Sequence, residues 1–391
     1  MSVPVLKLKR GEDRRLRAGH LWIFSNEVDT AATPLTQFQP GDAVAVHTSR
    51  DEFLGFAYVN PRTLIAARIV GRDPAYPLDA SLLVHRLRVA QALRERLYRE
   101  PFYRLAFGES DGLPGLVLDR YGDIVVAQSG TAGIDRLQAA VTDAVLKVTN
   151  AKSVVWKNDS GARELEGLEK SVDAPAEVAV RELGIDYVAP LADGQKTGWF
   201  YDQAANRERL RRYLPAGARV LDVCSYVGAW AISALKGGAA SATCVDASAT
   251  ALDYVTRNAR ANGVEITTLK DDAFDALKSL QEQGARFDAV ILDPPAFAKR
   301  KKDAPQAQAA YRRLNQLAMP LIDRDGLLVS CSCSYHMGAD ELETAIQGAA
   351  RHVSRFVQVL ELGGQSPDHP VHPAIPETRY LKSFFCRVSR E

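Results

Sequence analysis

The residues most able to do covalent chemistry lie late in the chain, at Asp293-Pro294-Pro295 and at Ser330-Cys331-Ser332-Cys333-Ser334. Each follows an apolar run, AVIL and GLLV, that reads as a buried strand. Two prolines directly after a strand cannot continue it, and they fix a turn that carries the aspartate out of the sheet edge. A cysteine within a strand is ordinarily a small apolar filler, which is the reading for Cys331. Cys333, at the strand's exit and expected level with Asp293 on the neighbouring strand, is the candidate nucleophile. Carbon C5 of a pyrimidine is too poor a nucleophile to take a methyl group from a sulfonium. A thiolate added at C6 makes C5 enamine-like, while a carboxyl group at N3 stabilises the charge that develops. The C5 proton is then removed and the cysteine eliminated. The same aspartate could instead hold an exocyclic base amine, but that use normally has an aromatic residue directly after the second proline. Here Ala296 stands there and Phe297 one step later.

Further acids mark other strand exits. The run ARVLDVCSYVG places Asp222, Ser225 and Gly228 after a strand, without the G-x-G-x-x-G that brings backbone close to a pyrophosphate. A cofactor without phosphates needs no such cradle, and S-adenosylmethionine is the common one. Asp246, ending SATCVD, is placed to accept from ribose hydroxyls, and Asp272, after EITTLKD, from an adenine amino group. The competing reading of these acids is as helix N-caps.

The elements that must position these groups alternate. From about residue 191, continuous apolar strands are interleaved with helices (AWAISALKG, SATALDYVTRNARANG, DALKSLQEQ and 306–322), which describes a parallel, doubly wound α/β sheet. Ligands on such sheets sit at the carboxyl ends of the strands. Residues 3–71 instead read as short β runs separated by turns, and 79–99 as an amphipathic helix before mixed strands and a helix over 133–148. The expected division is therefore 1–72, 73–190 and 191–391.

Composition bounds the rest. The 391 residues carry 49 Lys+Arg against 48 Asp+Glu, a net charge of +1, so no blanket basic coat exists. Cations cluster locally, at Lys7, Lys9, Arg10, Arg14, Arg15 and Arg17 and at Lys299-Arg300-Lys301-Lys302, which suits contact with a polyanion at chosen points. Five irregularly spaced cysteines make neither a disulfide framework nor a zinc site, so no metal is expected and a reducing cytoplasm is. No stretch approaches the ~20 apolar residues of a bilayer span. His369 and His372 fall in a proline-rich loop read as structural.

Taken in order, these motifs resemble the RlmI-type family of class I S-adenosylmethionine-dependent 23S ribosomal RNA (cytosine-C5) methyltransferases. KLKRGEDRRLRAGHLWIFSNEV with GDAVAVH and FLGFAYVNP resembles that family's PUA domain, a small RNA-binding β-barrel. ESDGLPGLVLDRYGD and WKNDSGARELEGLE resemble its α+β middle domain. DGQKTGWFYDQAANR, LDVCSYVGAWA, ILDPPAFAK and SCSCS resemble its Rossmann-like catalytic domain. The resemblance implies cofactor contacts at Lys196, Thr197, Phe200, Gln203, Arg207, Asp222, Ser225, Gly228, Asp246, Asp272 and Asp293, and it selects Cys333 over Cys331 as the nucleophile. It implies RNA, specifically ribosomal RNA, as partner, no membrane, and leaves a homodimer open. Other RNA cytosine-C5 enzymes carry a second cysteine where Ala296 stands, so the base that removes the C5 proton is not identified. Two alternatives remain at this point: methylation of an exocyclic amine, and an RNA assembly factor that holds S-adenosylmethionine without turnover.

Overall fold

The computed structural model describes residues 3–194, 197–298 and 300–390. Its backbone forms two compact units. The first takes Met1–Val178, Pro190–Tyr201 and Asp368–Thr378, and the second Ala179–Ala189, Asp202–Pro367 and Arg379–Glu391.

The first unit contains two five-stranded sheets, so the expected boundary near residue 72 falls between sheets that share one unit. In the N-terminal sheet Val5–Lys7 pairs parallel with Asp42–His47, and the other pairings are antiparallel. Phe56, Tyr58 and Val70 of this sheet join Leu83, Leu87, Leu105 and Leu118 in one apolar cluster. Removing each such side chain from water contributes about 1.5–3 kcal/mol, which couples the two sheets energetically. Buried ion pairs fasten the two distant segments that complete the unit. Arg94 binds both carboxylate oxygens of Asp111 at 2.6 and 2.7 Å and donates to the Asp368 carbonyl at 2.6 Å. Arg104 binds Asp119 bidentately at 2.8 Å, and the Thr197 hydroxyl donates to the same carboxylate. His369 is buried against Phe107 and its ring meets Asp368 at 2.8 Å.

The second unit is built on a seven-stranded sheet of β1 (Arg219–Val223), β2 (Ser241–Asp246), β3 (Thr267–Lys270), β4 (Phe287–Leu292), β5 (Ile322–Ser332), β6 (Arg355–Gly364) and β7 (Lys382–Arg390). The spatial order is β3-β2-β1-β4-β5-β7-β6, with β7 antiparallel to both neighbours and the first five strands parallel. Helices that pack on it include α1 (Ala229–Lys236), α2 (Ala249–Ala261), α3 (Ala273–Glu282), α4 (Ala304–Ala318) and α5 (Ala339–His352). Strand residues alternate between two cores, as a period of two requires. Leu221, Val223, Val290, Leu292 and Leu328 pack with α3, α4 and α5, while Val220, Ala289, Ile291, Val329 and Phe385 pack with α1 and α2. Among the described residues no helix is long and apolar enough to cross a membrane.

Candidate functional site

The sheet's carboxyl edge gathers most of the expected residues. β1 ends in a tight turn where Cys224, Tyr226 and Gly228 all adopt left-handed backbone, with φ of 64°, 50° and 82°. For the two residues with side chains this costs about 1–3 kcal/mol each, which the surroundings must over-determine. They do: the Val245 carbonyl accepts from the amides of Cys224 (2.9 Å) and Ser225 (3.0 Å), and the Asp246 carboxylate accepts from the Tyr226 amide at 2.9 Å. The other Asp246 oxygen accepts from the Ser248 amide at 2.9 Å. Asp246 thus builds the turn as well as facing its mouth. Asp272 is exposed and caps α3, accepting from the Phe274 amide at 2.8 Å, so it combines the cap role with a free edge position.

Asp222 is fully buried. One of its oxygens accepts from the Ala231 amide at 3.2 Å and the other, Oδ1, has no partner. Burial, reinforced by the nearby Asp293 charge, pushes its carboxyl up to about 8. A buried carboxyl oxygen without a donor is costly unless a ligand supplies one. An ammonium group, such as that of the amino-acid part of S-adenosylmethionine, fits that requirement.

Asp293 at the exit of β4 is held from two sides. Its oxygens accept from the Gln203 amide at 3.0 Å and from the Trp230 indole N–H at 2.9 Å. Burial raises its carboxyl above the usual range, and the Trp230 and Gln203 donors pull it partly back. Gln203 is in turn fixed by Asn206, which donates to its oxygen at 2.6 Å. Arg207 lies in the interior in a bidentate pair with Glu182, at 2.5 and 2.7 Å. Thr197 and Phe200 belong to the first unit, and Lys196 and Lys299 lie outside the described residues.

The two cysteines separate clearly. In the β4–β5 register Leu292 stands opposite Ser330, so Asp293 follows level with Cys331. Cys333 is two residues farther out, past the strand's end, rather than level with the aspartate as the sequence suggested. Cys331 is wholly buried, its sulfur 3.2 Å from the Ser383 hydroxyl, and burial holds its thiol far above the ordinary range. Cys333 keeps partial exposure. The loop after Pro295 is tied to this exit, because the Ser334 hydroxyl accepts from the Ala298 amide at 3.3 Å and meets the Tyr311 hydroxyl at 3.4 Å. Phe297 packs its ring on Tyr311 (centroids 4.8 Å apart) and towards Phe274. Among the cations after it, Arg300 pairs with Asp303, and Lys301 and Lys302 are exposed.

Sequence reasoning missed two residues here. Trp230 carried a signal, as the one aromatic in the first turn of the helix after the β1 turn. Lys382 carried none, since only the placement of β7 beside β5 brings it to the Cys333 exit.

Comparison with known proteins places the arrangement. Residues 6–72 match the model of a PUA-like domain, and residues 155–382 match that of an S-adenosylmethionine-dependent methyltransferase. The chain is 36% identical to the Ribosomal RNA large subunit methyltransferase I of Erwinia tasmaniensis over 99% of this chain and 100% of that protein. It is 34% identical to the protein of the same name from Escherichia coli O9:H4, again over 99% and 100%. Among solved structures, a methyltransferase crystallised with SAH superposes with a TM-score of 0.82 at 22% identity, covering 98% of this chain and all of that one. An S-adenosylmethionine-dependent methyltransferase from Streptococcus mutans gives 0.80 at 22% identity, also over 98% and 100%, and both likenesses speak to the fold. A sheet of this order, a phosphate-free cofactor turn and full-length relatives agree, and the chain belongs to the S-adenosylmethionine-dependent methyltransferases, in the family of the Ribosomal RNA large subunit methyltransferase I proteins.

Proposed function

We propose that this protein methylates C5 of a cytosine in RNA, with 23S ribosomal RNA of the large subunit as substrate, in the cytoplasm. The ribosomal substrate is supported by the names of its full-length relatives. One observation carries the choice of atom: a partly exposed cysteine, Cys333, leaves the strand next to the one that ends in Asp293, a half-buried carboxyl group held by Gln203 and Trp230. Cys331, wholly enclosed, cannot present its sulfur to a ring carbon.

When bound, the sulfonium cofactor supplies an electrophilic methyl group. Asp222, with its unsatisfied oxygen, would hold the ammonium end, and Ser225, Gly228, Asp246 and Asp272 would line the remainder. The Cys333 thiolate gives its electron pair to form the S–C6 bond, and the C5=C6 pair shifts into the ring. Asp293, its carboxyl raised above the ordinary range by burial, donates to N3 and neutralises the charge. C5 then takes the methyl group. A base takes the C5 proton, the C5=C6 bond reforms as the thiolate leaves, and the N3 proton returns to Asp293. C5 and C6 of a stacked base are poorly accessible, so the target is flipped or unpaired. Methylation of an exocyclic amine fits less well, because Ala296 rather than an aromatic residue follows the second proline and Phe297 packs on Tyr311.

The test is mass spectrometry of nucleosides from RNA incubated with enzyme and labelled cofactor. It should yield 5-methylcytidine, and RNA containing 5-fluorocytosine should trap a covalent complex in wild type but not in Cys333→Ala. Full methylation by Cys333→Ala, or a label on an exocyclic nitrogen, would reject the reading.

A further inference from the structure

A cation stands at the Cys333 exit that neither the motifs nor the relatives' names assign. Lys382 opens β7, directly opposite Ser332 of β5 on one side and Gly364 of β6 on the other. Its side chain runs past the end of β5. There Nζ donates to the carbonyl of Ser334 at 2.5 Å and to that of Tyr380 at 2.9 Å. Cys333 lies between the residue paired with the Lys382 backbone and the residue whose carbonyl Nζ holds. The lysine is 8% exposed, and lysines are almost never that buried unless paired. Yet among the described residues no carboxylate lies within ion-pair distance of Nζ. An ammonium group has three donors, and carbonyls take two of them.

We propose that Lys382 is the counter-ion of the Cys333 thiolate, a positioning residue that favours the sulfur's ionisation before attack and receives the thiolate when it leaves. This rests on the reading of Cys333 as nucleophile. An ordinary thiol, with a pKa of ~8.5, is only a few per cent ionised at pH 7, and an adjacent cation corrects that. The surroundings agree. Of the acidic groups acting on Lys382 the Cys333 thiol is the strongest, ahead of Glu341 on α5. Burial pulls the lysine down to about 8, so it is still largely protonated at neutral pH. Tyr311 of α4 faces the same exit and is held neutral by burial. Asp293 acts on the neighbouring Cys331. The return step matters here because Ala296, not a second cysteine, follows the two prolines. The ammonium that stabilises the attacking thiolate stabilises it equally as a leaving group.

The experiment is the pH dependence of iodoacetamide alkylation at Cys333, read by peptide mass spectrometry on the full-length protein. It is run in wild type, Lys382→Arg and Lys382→Met, with S-adenosylhomocysteine binding as the check on folding. Wild-type Cys333 should alkylate with a midpoint below that of a free thiol. Lys382→Met should raise the midpoint by at least about one pH unit and lower kcat about tenfold with KM unchanged. Lys382→Arg, which keeps the charge, should fall between. Equal midpoints in wild type and Lys382→Met would overturn the proposal. If Lys382→Met does not bind S-adenosylhomocysteine, a wild-type midpoint at or above the free-thiol value overturns it instead. Full activity of Cys333→Ala overturns the methylation mechanism, whereas unaltered titration with an inactive Cys333→Ala overturns only the counter-ion.

Discussion

Asp222 offers a quantitative test of the cofactor site through protons alone. Its native carboxyl titrates near 8, against about 4 for an unfolded chain. Between those values the native state holds a proton that the unfolded state has lost, so stability must fall as pH rises. The contribution is fully present below about pH 4 and is lost as pH passes about 8. At ~1.4 kcal/mol per pH unit, the step from pH 5 to pH 7 removes about 2.7 kcal/mol. Asp222→Asn keeps the acceptor for the Ala231 amide and has no proton to lose, so this part of the pH dependence should vanish. Asp293 is shifted in the same direction and its charge acts on Asp222, so the double difference reports the coupled pair. The assay is hydrogen–deuterium exchange of the α1 amides, which reports on the seven-stranded unit, at both pH values in both proteins. A double difference below about 0.5 kcal/mol would refute the burial reasoning. A cationic ligand at Oδ1 needs the carboxylate, so S-adenosylhomocysteine should bind more tightly to wild type as pH rises over the same interval, and the variant should lose that trend.

Other consequences are simpler to check. Cys331→Ala should keep methylation and lose about 1 kcal/mol in urea unfolding, since its sulfur is enclosed core. Trp230→Phe removes one of the donors that hold Asp293, and should cost about 1 kcal/mol and shift upward the alkaline limb of the kcat profile, where this proton donor is lost. Arg104→Met leaves Asp119 buried without its guanidinium, and thermal unfolding should show the first unit weakened by about 3 kcal/mol. Replacing exposed Lys301 and Lys302 with alanine should lower the slope of log affinity for RNA against log salt by about 0.7 for each phosphate no longer neutralised, with cofactor binding unchanged.

The alternating strand and helix pattern from residue 219 onward was legible because each strand is a continuous apolar run and each helix shows one apolar face. The cap reading of the acids holds at Asp272, whose side chain accepts from a helix amide, but the helix after Asp246 is capped by Ser248 instead. The acids at the strand exits could be picked out because a parallel sheet exposes little else of chemical use there. The register was not legible. Cys331 and Cys333 differ by two residues in one motif, and only strand pairing shows that the inner one is level with Asp293 and sealed. Nor could sequence reveal that Gln203 and Trp230 hold Asp293, or that Arg207 is engaged by Glu182.

Local chemistry in the sequence therefore determined the fold class, the nature of the cofactor turn and the short set of reactive residues, because these depend on periodicity, on proline and on side-chain type. Tertiary structure decided which sulfur has access, which carboxyls burial raises and which lysine stands beside Cys333. Those depend on burial and on neighbours far apart in the chain. The antiparallel insertion of β7 between β5 and β6 is what brings Lys382 beside Cys333, a juxtaposition of residues 49 positions apart that no local pattern encodes.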